Sequence, residues 1–278
     1  MATTDWVMQV TFLFWNVYGR SLETRIARIA AANSVDVLML AECPTPPSVL
    51  LAALNASGVG VYRFPPSLSR KIRIFTRFPE PEVIDQFNAR SGRLTIRRLR
   101  LGPVSEILLG VVHLASKQNF SDSEQGLLAT RAASDVRQVE DDTGNYRTLL
   151  VGDFNMNPFD EGMVGAQHFH AVMTKQRARK SHRTVQMERY RYFYNPMWGN
   201  FGDRTDGPAG TYHLSSSRPV HYFWNMYDQL LLRPALMDHL TELKVLTDDG
   251  VESLVTRTGL PQKSSGSDHL PLLFRLDL

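Results

Sequence analysis

Residues 148–155 read TLLVGDFN, and this stretch decides the fold more than any other part of the sequence. A short apolar run leads through a glycine to Asp153 and Asn155, which stand two positions apart. If the extended chain continues, residues at that spacing point to the same side of a strand. A carboxylate and an amide that follow a buried strand can face a solvated cleft, whereas within the strand they would carry a desolvation cost. The stretch therefore predicts a strand whose end carries two functional groups.

Three earlier apolar runs end in a polar residue in the same way. The sequences TFLFW, DVLMLA and EILLGVV are followed by Asn16, Glu42 and His113. Each residue also has a plain structural explanation, because strand-to-loop junctions commonly carry polar residues. Asn16 could cap a turn, Glu42 could be a solvated strand end, and His113 could be a hydrogen-bonded core histidine. Their repetition at successive strand ends favours one shared site.

Further candidates stand in the last fifth of the chain. Asp268 and His269 come directly before the apolar run at 270–274, and Asp228 opens the run at 228–232. A solvated turn would also explain Asp268 and His269, since a serine and a glycine stand just before them. Polar residues thus also stand at the start of two apolar runs, in addition to those that follow earlier runs.

The spacing of apolar residues indicates an α/β fold. It predicts strands at residues 7–15, 35–41, 60–64, 72–76, 94–101, 107–113, 148–151, 228–232 and 270–276. It predicts helices at 22–32, 46–54 and 122–139, the last capped by Asp122 or Ser123. Residues 159–227 are expected to be mainly loop. Two packed sheets covered by helices, in a single domain spanning residues 1–278, account for this distribution.

Composition favours a soluble intracellular protein. The chain has 278 residues, a formal net charge of +3 and a single cysteine, Cys43, so an internal disulfide is impossible. The N-terminal residues lack the basic start of a secretory signal, and no apolar stretch is long enough to cross a bilayer. We therefore expect a cytoplasmic location and no membrane partner. The modest positive charge permits polyanionic ligands without requiring them.

Taken in order, these segments resemble the endonuclease/exonuclease/phosphatase superfamily. The motifs are FLFWNV, LMLAEC, GVVHLAS, LLVGDFNMNP, MYDQLLL and GSDHLPLLFRL. The family includes deoxyribonuclease I, abasic-site endonucleases, sphingomyelinases, inositol polyphosphate phosphatases and deadenylases. With His113, the chain resembles the branch of the family that carries a histidine at this position, which includes deoxyribonuclease I. The chain departs from many members at Tyr18, where they carry an acid, and at Ala41, where they carry glutamine.

The resemblance implies a four-layer α/β sandwich with the active site at one edge of two mixed sheets. It further implies that Glu42, with Asn16 and Asp268, holds Mg²⁺ or Mn²⁺, which oxygen ligands suit. Asp228 would orient His269, while His113 and Asn155 would bind phosphoryl oxygens. Either Asp153 or the Asp228–His269 pair would activate water. The implied activity is metal-dependent hydrolysis of a phosphoester.

A basic run at residues 175–191 bears on the substrate. It contains seven Lys or Arg residues against one Glu, and aromatic residues follow it. Basic groups beside aromatic ones suit nucleic acid, so we predict a nuclease whose substrate is contacted by Arg177, Arg179, Lys180 and Arg183. A solvated helix face is the alternative. A small-molecule or lipid-headgroup phosphoesterase, and a catalytically silent nucleic-acid-binding module, are the other functions that the sequence leaves open.

Overall fold

The protein is described by a computed structural model covering residues 8–56, 58, 60–102, 105–116, 120–204, 206–217, 219 and 221–278. Its strands are β1 Gln9–Asn16, β2 Val37–Ala41, β3 Ile72–Thr76, β4 Val83–Asn88, β5 Leu94–Arg100, β6 Glu106–His113, β7 Thr148–Asp153, β8 Ala171–Val172, β9 His182–Val185, β10 Glu188–Arg191, β11 Phe193–Tyr194, β12 Tyr212–His213, β13 Trp224–Asn225, β14 Asp228–Leu232, β15 Leu240–Val245 and β16 Leu272–Asp277. Its α-helices are α1 Glu23–Ala32, α2 Pro47–Ala56, α3 Asp122–Thr143, α4 Glu161–Val164 and α5 Lys175–Ala178, and short 3-10 helices span Glu80–Glu82 and Pro196–Asn200.

Two mixed β-sheets form the centre of the fold. Within the described residues, the first sheet has the strand order β15-β16-β1-β2-β3 and the second has the order β4-β5-β6-β7-β14-β11-β8. The pairs β1–β2 and β6–β7 are parallel, whereas β14 runs antiparallel to β7. Two small hairpins, β9–β10 and β12–β13, lie outside these sheets. The parallel pairs bring the carboxyl ends of neighbouring strands together, as the strand-end motifs require.

The layers follow from the alternation of side chains along each strand. On β1, Phe12 and Phe14 pack between the two sheets, and Leu13 and Trp15 pack against α1 and α2 on the outer face. On β7, Leu150 points to the outer face of the second sheet, where it packs against the apolar face of α3. The order of layers is therefore helices, sheet, sheet and helices, as expected from the sequence.

Helix α3 is longer than its apolar spacing predicts and is capped one residue earlier. The Ser121 side chain accepts a hydrogen bond from the Glu124 backbone, and the Glu124 carboxylate accepts one from the Ser121 backbone. This reciprocal capping box satisfies two backbone donors at the start of the helix. The prediction of Asp122 or Ser123 as N-cap is therefore wrong.

Several elements differ from the sequence-based expectation. Residues 60–64 form no strand beyond a single bridge between Arg63 and Thr76. The region expected to be loop contains β8 to β13, whose strands are two to four residues long and too short to show an alternating pattern. Residues 1–7, including the predicted start of the first strand, lie outside the described part of the chain. No helix among the described residues has the length and apolar character needed to cross a membrane.

Candidate active site

The strand register places the predicted site residues at one edge of the sandwich. His113 and Asp228 both lie beside Asp153, because β6 and β14 flank β7. In the other sheet, Asn16 pairs with the residue that precedes Glu42. These side chains are far apart in sequence, and strand pairing within each sheet together with the packing of the two sheets brings them together.

The Asn16 side chain joins the two sheets. Its Nδ2 lies 3.0 Å from Asp153 Oδ2 and 3.4 Å from Glu42 Oε1. Its Oδ1 accepts a hydrogen bond of 3.0 Å from the backbone of Tyr18. One buried amide therefore holds carboxylates from both sheets in a fixed relation.

Glu42 meets His113 across the cleft. Glu42 Oε1 lies 3.1 Å from His113 Nε2, and Glu42 itself has a left-handed backbone with φ of 51°. The hydrogen bond from His113 lowers the pKa of Glu42, against the opposing effect of burial. Glu42 thus presents an ionised carboxylate at the strand end, as a hard metal ligand requires.

Asp228 and His269 form a buried pair. His269 Nδ1 lies 2.8 Å from Asp228 Oδ2, and the Asp228 side chain is almost completely inaccessible. Burial raises the pKa of Asp228 and would lower that of His269. The negative charges of Asp228, Asp153 and Asp268 outweigh burial at the imidazole and raise the pKa of His269. The geometry fixes the ring and favours its cationic form.

The surroundings of His269 hold the ring in position. The His269 carbonyl accepts a hydrogen bond of 2.8 Å from Trp15 Nε1, and the ring packs on Tyr212 with centroids 4.7 Å apart. The backbone of Asp228 donates to Thr211 Oγ1 at 3.0 Å. His269 Nε2 consequently faces Asp153 Oδ2 at 3.9 Å.

Asn155 shapes the loop after β7. It adopts a left-handed backbone, and its backbone nitrogen donates to Asp153 Oδ1 at 2.9 Å. Its Nδ2 donates to the Leu114 carbonyl at 3.0 Å. Asn155 lines the cleft, but one amide hydrogen is committed to the fold, so its predicted contact with a phosphoryl oxygen stays a prediction.

Asp268 also lines the cleft. Its Oδ2 is 3.7 Å from Lys263 Nζ, and its buried Oδ1 has no hydrogen-bond partner among the described residues. Burial raises the pKa of Asp268 against the attraction of His269 and Lys263. An unpartnered buried carboxylate oxygen beside other acids is what a site for a cation would leave.

Two groups of side chains could hold a metal ion. One ligand atom each from Asp153, Asp228 and His269 lie within 4.8 Å of one another. Asp228, however, does not line the cleft, and its Oδ2 already pairs with His269. The oxygen-rich group of Glu42, Asn16 and Asp153, with Asp268 nearby, lines the cleft and fits Mg²⁺ or Mn²⁺ better.

The cleft has a volume of about 760 Å³ and contains residues that the motifs did not single out as functional. Lys263 and Arg93 contribute positive charge, and the side chains of Tyr18, Phe120 and Tyr222 contribute aromatic surface. Arg93 donates to the His113 carbonyl at 3.2 Å. Neither Arg93 nor Lys263 lies within a strand or helix, and residues outside such elements follow no periodic pattern that would single them out.

The basic residues of the predicted substrate surface lie elsewhere. Arg177, Arg179, Lys180 and Arg183 are exposed, and none lines the cleft. Arg179 pairs with Asp238. Asp238 lies in the segment that follows the carboxyl end of β14, whereas Asp228 stands at the start of that strand. These side chains therefore lie outside the cleft, and their contact with a more distant part of a substrate stays a prediction.

Comparisons with protein families and solved structures identify the family and the fold of the chain. Residues 13–269 match the model of the Endonuclease/Exonuclease/phosphatase family. No curated protein matches the chain in sequence. Among solved structures, an endonuclease/exonuclease/phosphatase family protein from Bacteroides thetaiotaomicron is 15% identical with a TM-score of 0.59, covering 97% of this chain and 98% of that one.

Two further solved structures have the same fold. D. rerio TDP2 complexed with a single-strand DNA product is 15% identical, with a TM-score of 0.57, and the alignment covers 97% of this chain and 99% of that one. The endonuclease domain of TRAS1, a telomere-specific non-LTR retrotransposon, is 13% identical, with a TM-score of 0.55 and coverage of 98% and 99%.

Proposed function

Because the chain belongs to the endonuclease/exonuclease/phosphatase family, we propose that it is a divalent-metal-dependent nuclease that hydrolyses phosphodiester bonds in DNA or RNA. The observation that carries the proposal is the convergence of the Glu42 and Asp153 carboxylates on the Asn16 amide nitrogen, with His269 alongside. Phosphoester hydrolysis needs an attacking water, neutralisation of the phosphoryl oxygens and help for the leaving oxygen. The cleft offers a group for each need.

The metal ion would be held by Glu42, with Asp268 and the Asn16 side-chain oxygen as further oxygen donors. When bound, a divalent cation supplies positive charge for the phosphoryl oxygens. Glu42 is already ionised through its hydrogen bond with His113. Asn16 keeps Glu42 and Asp153 together, so the metal ligand and the water-activating carboxylate are positioned before substrate binds.

The protein's own groups account for the proton movements. His269, held cationic by its carboxylate neighbours, is placed to donate a hydrogen bond from Nε2 toward a phosphoryl or leaving oxygen. A protonated imidazole cannot also accept a proton from water. Asp153, 3.9 Å away, is then the better candidate for the general base.

The rim of the cleft supports a nucleic-acid substrate. Tyr18 and Tyr222 are about half exposed there, at 49% and 57%. Exposed aromatic rings beside a phosphate-binding site suit base stacking, and Arg93 and Lys263 suit the flanking phosphates. The structural neighbour TDP2 with a bound single-strand DNA product is consistent with such a ligand.

The placement of the basic run outside the cleft favours a second candidate. If those residues play no part in binding, a small phosphodiester or phosphomonoester would be the substrate, acted on by the same catalytic groups. A binding module without catalysis is less favoured, since such a role would not need Asp228 and His269 as a buried pair.

A substrate panel tests the proposal. Purified protein with Mg²⁺ or Mn²⁺ is offered supercoiled plasmid, single-stranded DNA, RNA, a small aromatic phosphodiester and a phosphomonoester. We expect hydrolysis of at least one polynucleotide at a higher kcat/KM than either small substrate, and none after His269→Ala. Turnover confined to small substrates would replace the nuclease by the second candidate, and no turnover of any substrate would contradict both.

A further inference from the structure

The basic run forms part of a second cavity, at the edge of the sandwich opposite the catalytic cleft. This cavity has a volume of about 620 Å³ and lies between α3, the β9–β10 hairpin and the segment after β14. β14 leaves the catalytic edge at Asp228 and ends before Arg233, which lines the cavity. The six residues of β7 span the same direction, so roughly 17 Å separates the two edges.

Arginines dominate the cavity wall. Among the described residues that line it are Arg137 from α3, Arg189 and Arg191 from β10, and Arg233. The neighbouring acids are committed to two of them. Glu140 is fully buried and holds Arg233 through two contacts, of 2.7 and 3.0 Å. Asp141 Oδ1 lies 2.8 Å from Arg191.

The other two guanidinium groups have no carboxylate within ion-pair distance in the described part of the chain. Arg137 donates to the backbone carbonyls of His168 and Gln167, each at 3.3 Å. Arg189 Nη2 lies 2.7 Å from His182 Nε2, so its side-chain partner is a neutral or like-charged ring. Burial, and then the charge of Arg233, lower the pKa of Arg137. The cavity therefore carries positive charge that the protein itself does not neutralise.

We propose that this cavity is a second, non-catalytic phosphate-binding site. Guanidinium groups converging from separate elements suit the tetrahedral oxygens of phosphate, which accept paired N–H donors. Ser181 and His182 add polar groups to the same wall. Tyr146, which is 43% exposed and packs its ring on Arg191 at 4.4 Å, adds an aromatic surface.

The ligand is a phosphate ester of a sugar that also carries a planar base, that is, a nucleotide, either free or within a single strand. A bare anion would use the arginines but not the Tyr146 ring. An adjoining base would use both, since stacking on aromatic or guanidinium planes is a sequence-tolerant contact. The site needs no turnover at the cleft, so it stands or falls separately from the proposed nuclease activity.

The test uses the full chain in EDTA, which removes divalent metal and prevents hydrolysis. Inorganic phosphate, deoxyadenosine monophosphate and a short oligodeoxythymidylate are titrated in turn, and backbone amide resonances are followed by NMR. Arg189→Glu reverses a charge at the exposed side of the cavity and should fold. Arg257→Glu is the matched control, because Arg257 is an exposed arginine in a loop beside the other sheet.

We expect saturable shifts of the amides of residues 181–191 with at least one probe, and roughly tenfold weaker binding in Arg189→Glu but not in Arg257→Glu. Equal affinity for the mononucleotide and the oligonucleotide would assign a free nucleotide to the site. Binding of the oligonucleotide alone would assign a strand. Shifts that do not saturate with any probe, or equal losses in the two variants, would overturn the proposal.

Discussion

At the scale of single residues, the Asn16 amide and the His269 imidazole organise the cleft. Asn16 links carboxylates from two sheets, and His269 is held by Asp228 on one side while it faces Asp153 on the other. The sequence motifs identify these residue types and their order. They cannot reveal that one amide nitrogen lies between two acids, because that depends on how the sheets pack.

Asp228 and His269 should behave as one catalytic unit. The carboxylate is buried behind the ring, so its value lies in orienting the imidazole and compensating its charge. We expect Asp228→Asn and His269→Ala each to lower kcat by roughly 10²–10⁴-fold, and the double variant to lose no more than the worse single one. Steady-state rates of the three variants measure this. Losses that multiply in the double variant would show that the two groups act independently.

At the scale of secondary-structure elements, long buried strands were predictable and short ones were not. The strands at 72–76 and 228–232 were predicted with their observed bounds, because each contains buried apolar residues and is followed directly by an arginine, Arg77 or Arg233. β4 and β15 were missed, since polar residues interrupt their apolar ones without a regular alternation and most of their side chains are only partly buried or exposed. The predicted strand at 60–64 is absent because only one residue there pairs with a neighbouring strand.

The positions of the candidate site residues were predictable where a motif ended a strand. Strand ends indicated Asn16, Glu42, His113 and Asp153 before any packing was known. The cleft's loop residues, such as Lys263 and Tyr222, carry no such signal. The contact of the basic run with substrate stays a prediction, because charge composition shows that a segment is exposed but not which edge of a sandwich it occupies.

Gly152 sets the close approach of β6 and β7 beneath the site. It has φ of 149°, and a Cβ there would lie 1.9 Å from the Val112 carbonyl oxygen, a backbone atom that cannot move aside. We expect Gly152→Ala to destabilise the fold by about 2–4 kcal/mol and to lower activity, because it displaces His113 relative to Asp153. Thermal and denaturant unfolding measure the first effect.

Gly199→Ala serves as the control for that substitution. A Cβ at Gly199 meets no atom within 4 Å, so this variant should keep the parent stability. If Gly152→Ala also unfolds at the parent temperature, the close approach at β6–β7 does not constrain the site.

At the scale of the whole molecule, positive charge is divided between the two edges of the sandwich. The catalytic edge has Arg93 and Lys263 beside acids, while the opposite edge carries the basic run. Remote positive charge can strengthen binding of a long polyanion without touching the reacting group. A small substrate confined to the cleft would not reach it.

Neutralising Arg177, Arg179 and Lys180 together tests that division. We expect weaker binding of long DNA or RNA and a flatter dependence on salt. Each phosphate contact releases counterions, and the variant makes fewer such contacts. Turnover of a small phosphodiester should stay at the parent level. Affinity measured at several salt concentrations, with kcat/KM for the small substrate, gives both results.

The control for the triple variant removes three exposed cations elsewhere, at Arg100, Arg204 and Arg257. If both triple variants bind long nucleic acid with the parent's salt profile, the basic run is only a solvated surface. A small-phosphoester substrate would then be favoured.

The central claim is that Glu42 holds a divalent ion on which hydrolysis depends. The most direct measurement is the rate of phosphodiester hydrolysis as Mg²⁺ or Mn²⁺ is titrated into EDTA-treated parent protein and Glu42→Gln, which removes the charge but keeps the volume. For the parent protein we predict no activity without metal and full recovery on titration. For Glu42→Gln we predict a much higher metal concentration at half-maximal activity and a maximal rate reduced by at least roughly 10²-fold. The parent's unfolding temperature should be retained. Metal-independent hydrolysis, or the same titration curve for both proteins, would contradict the claim.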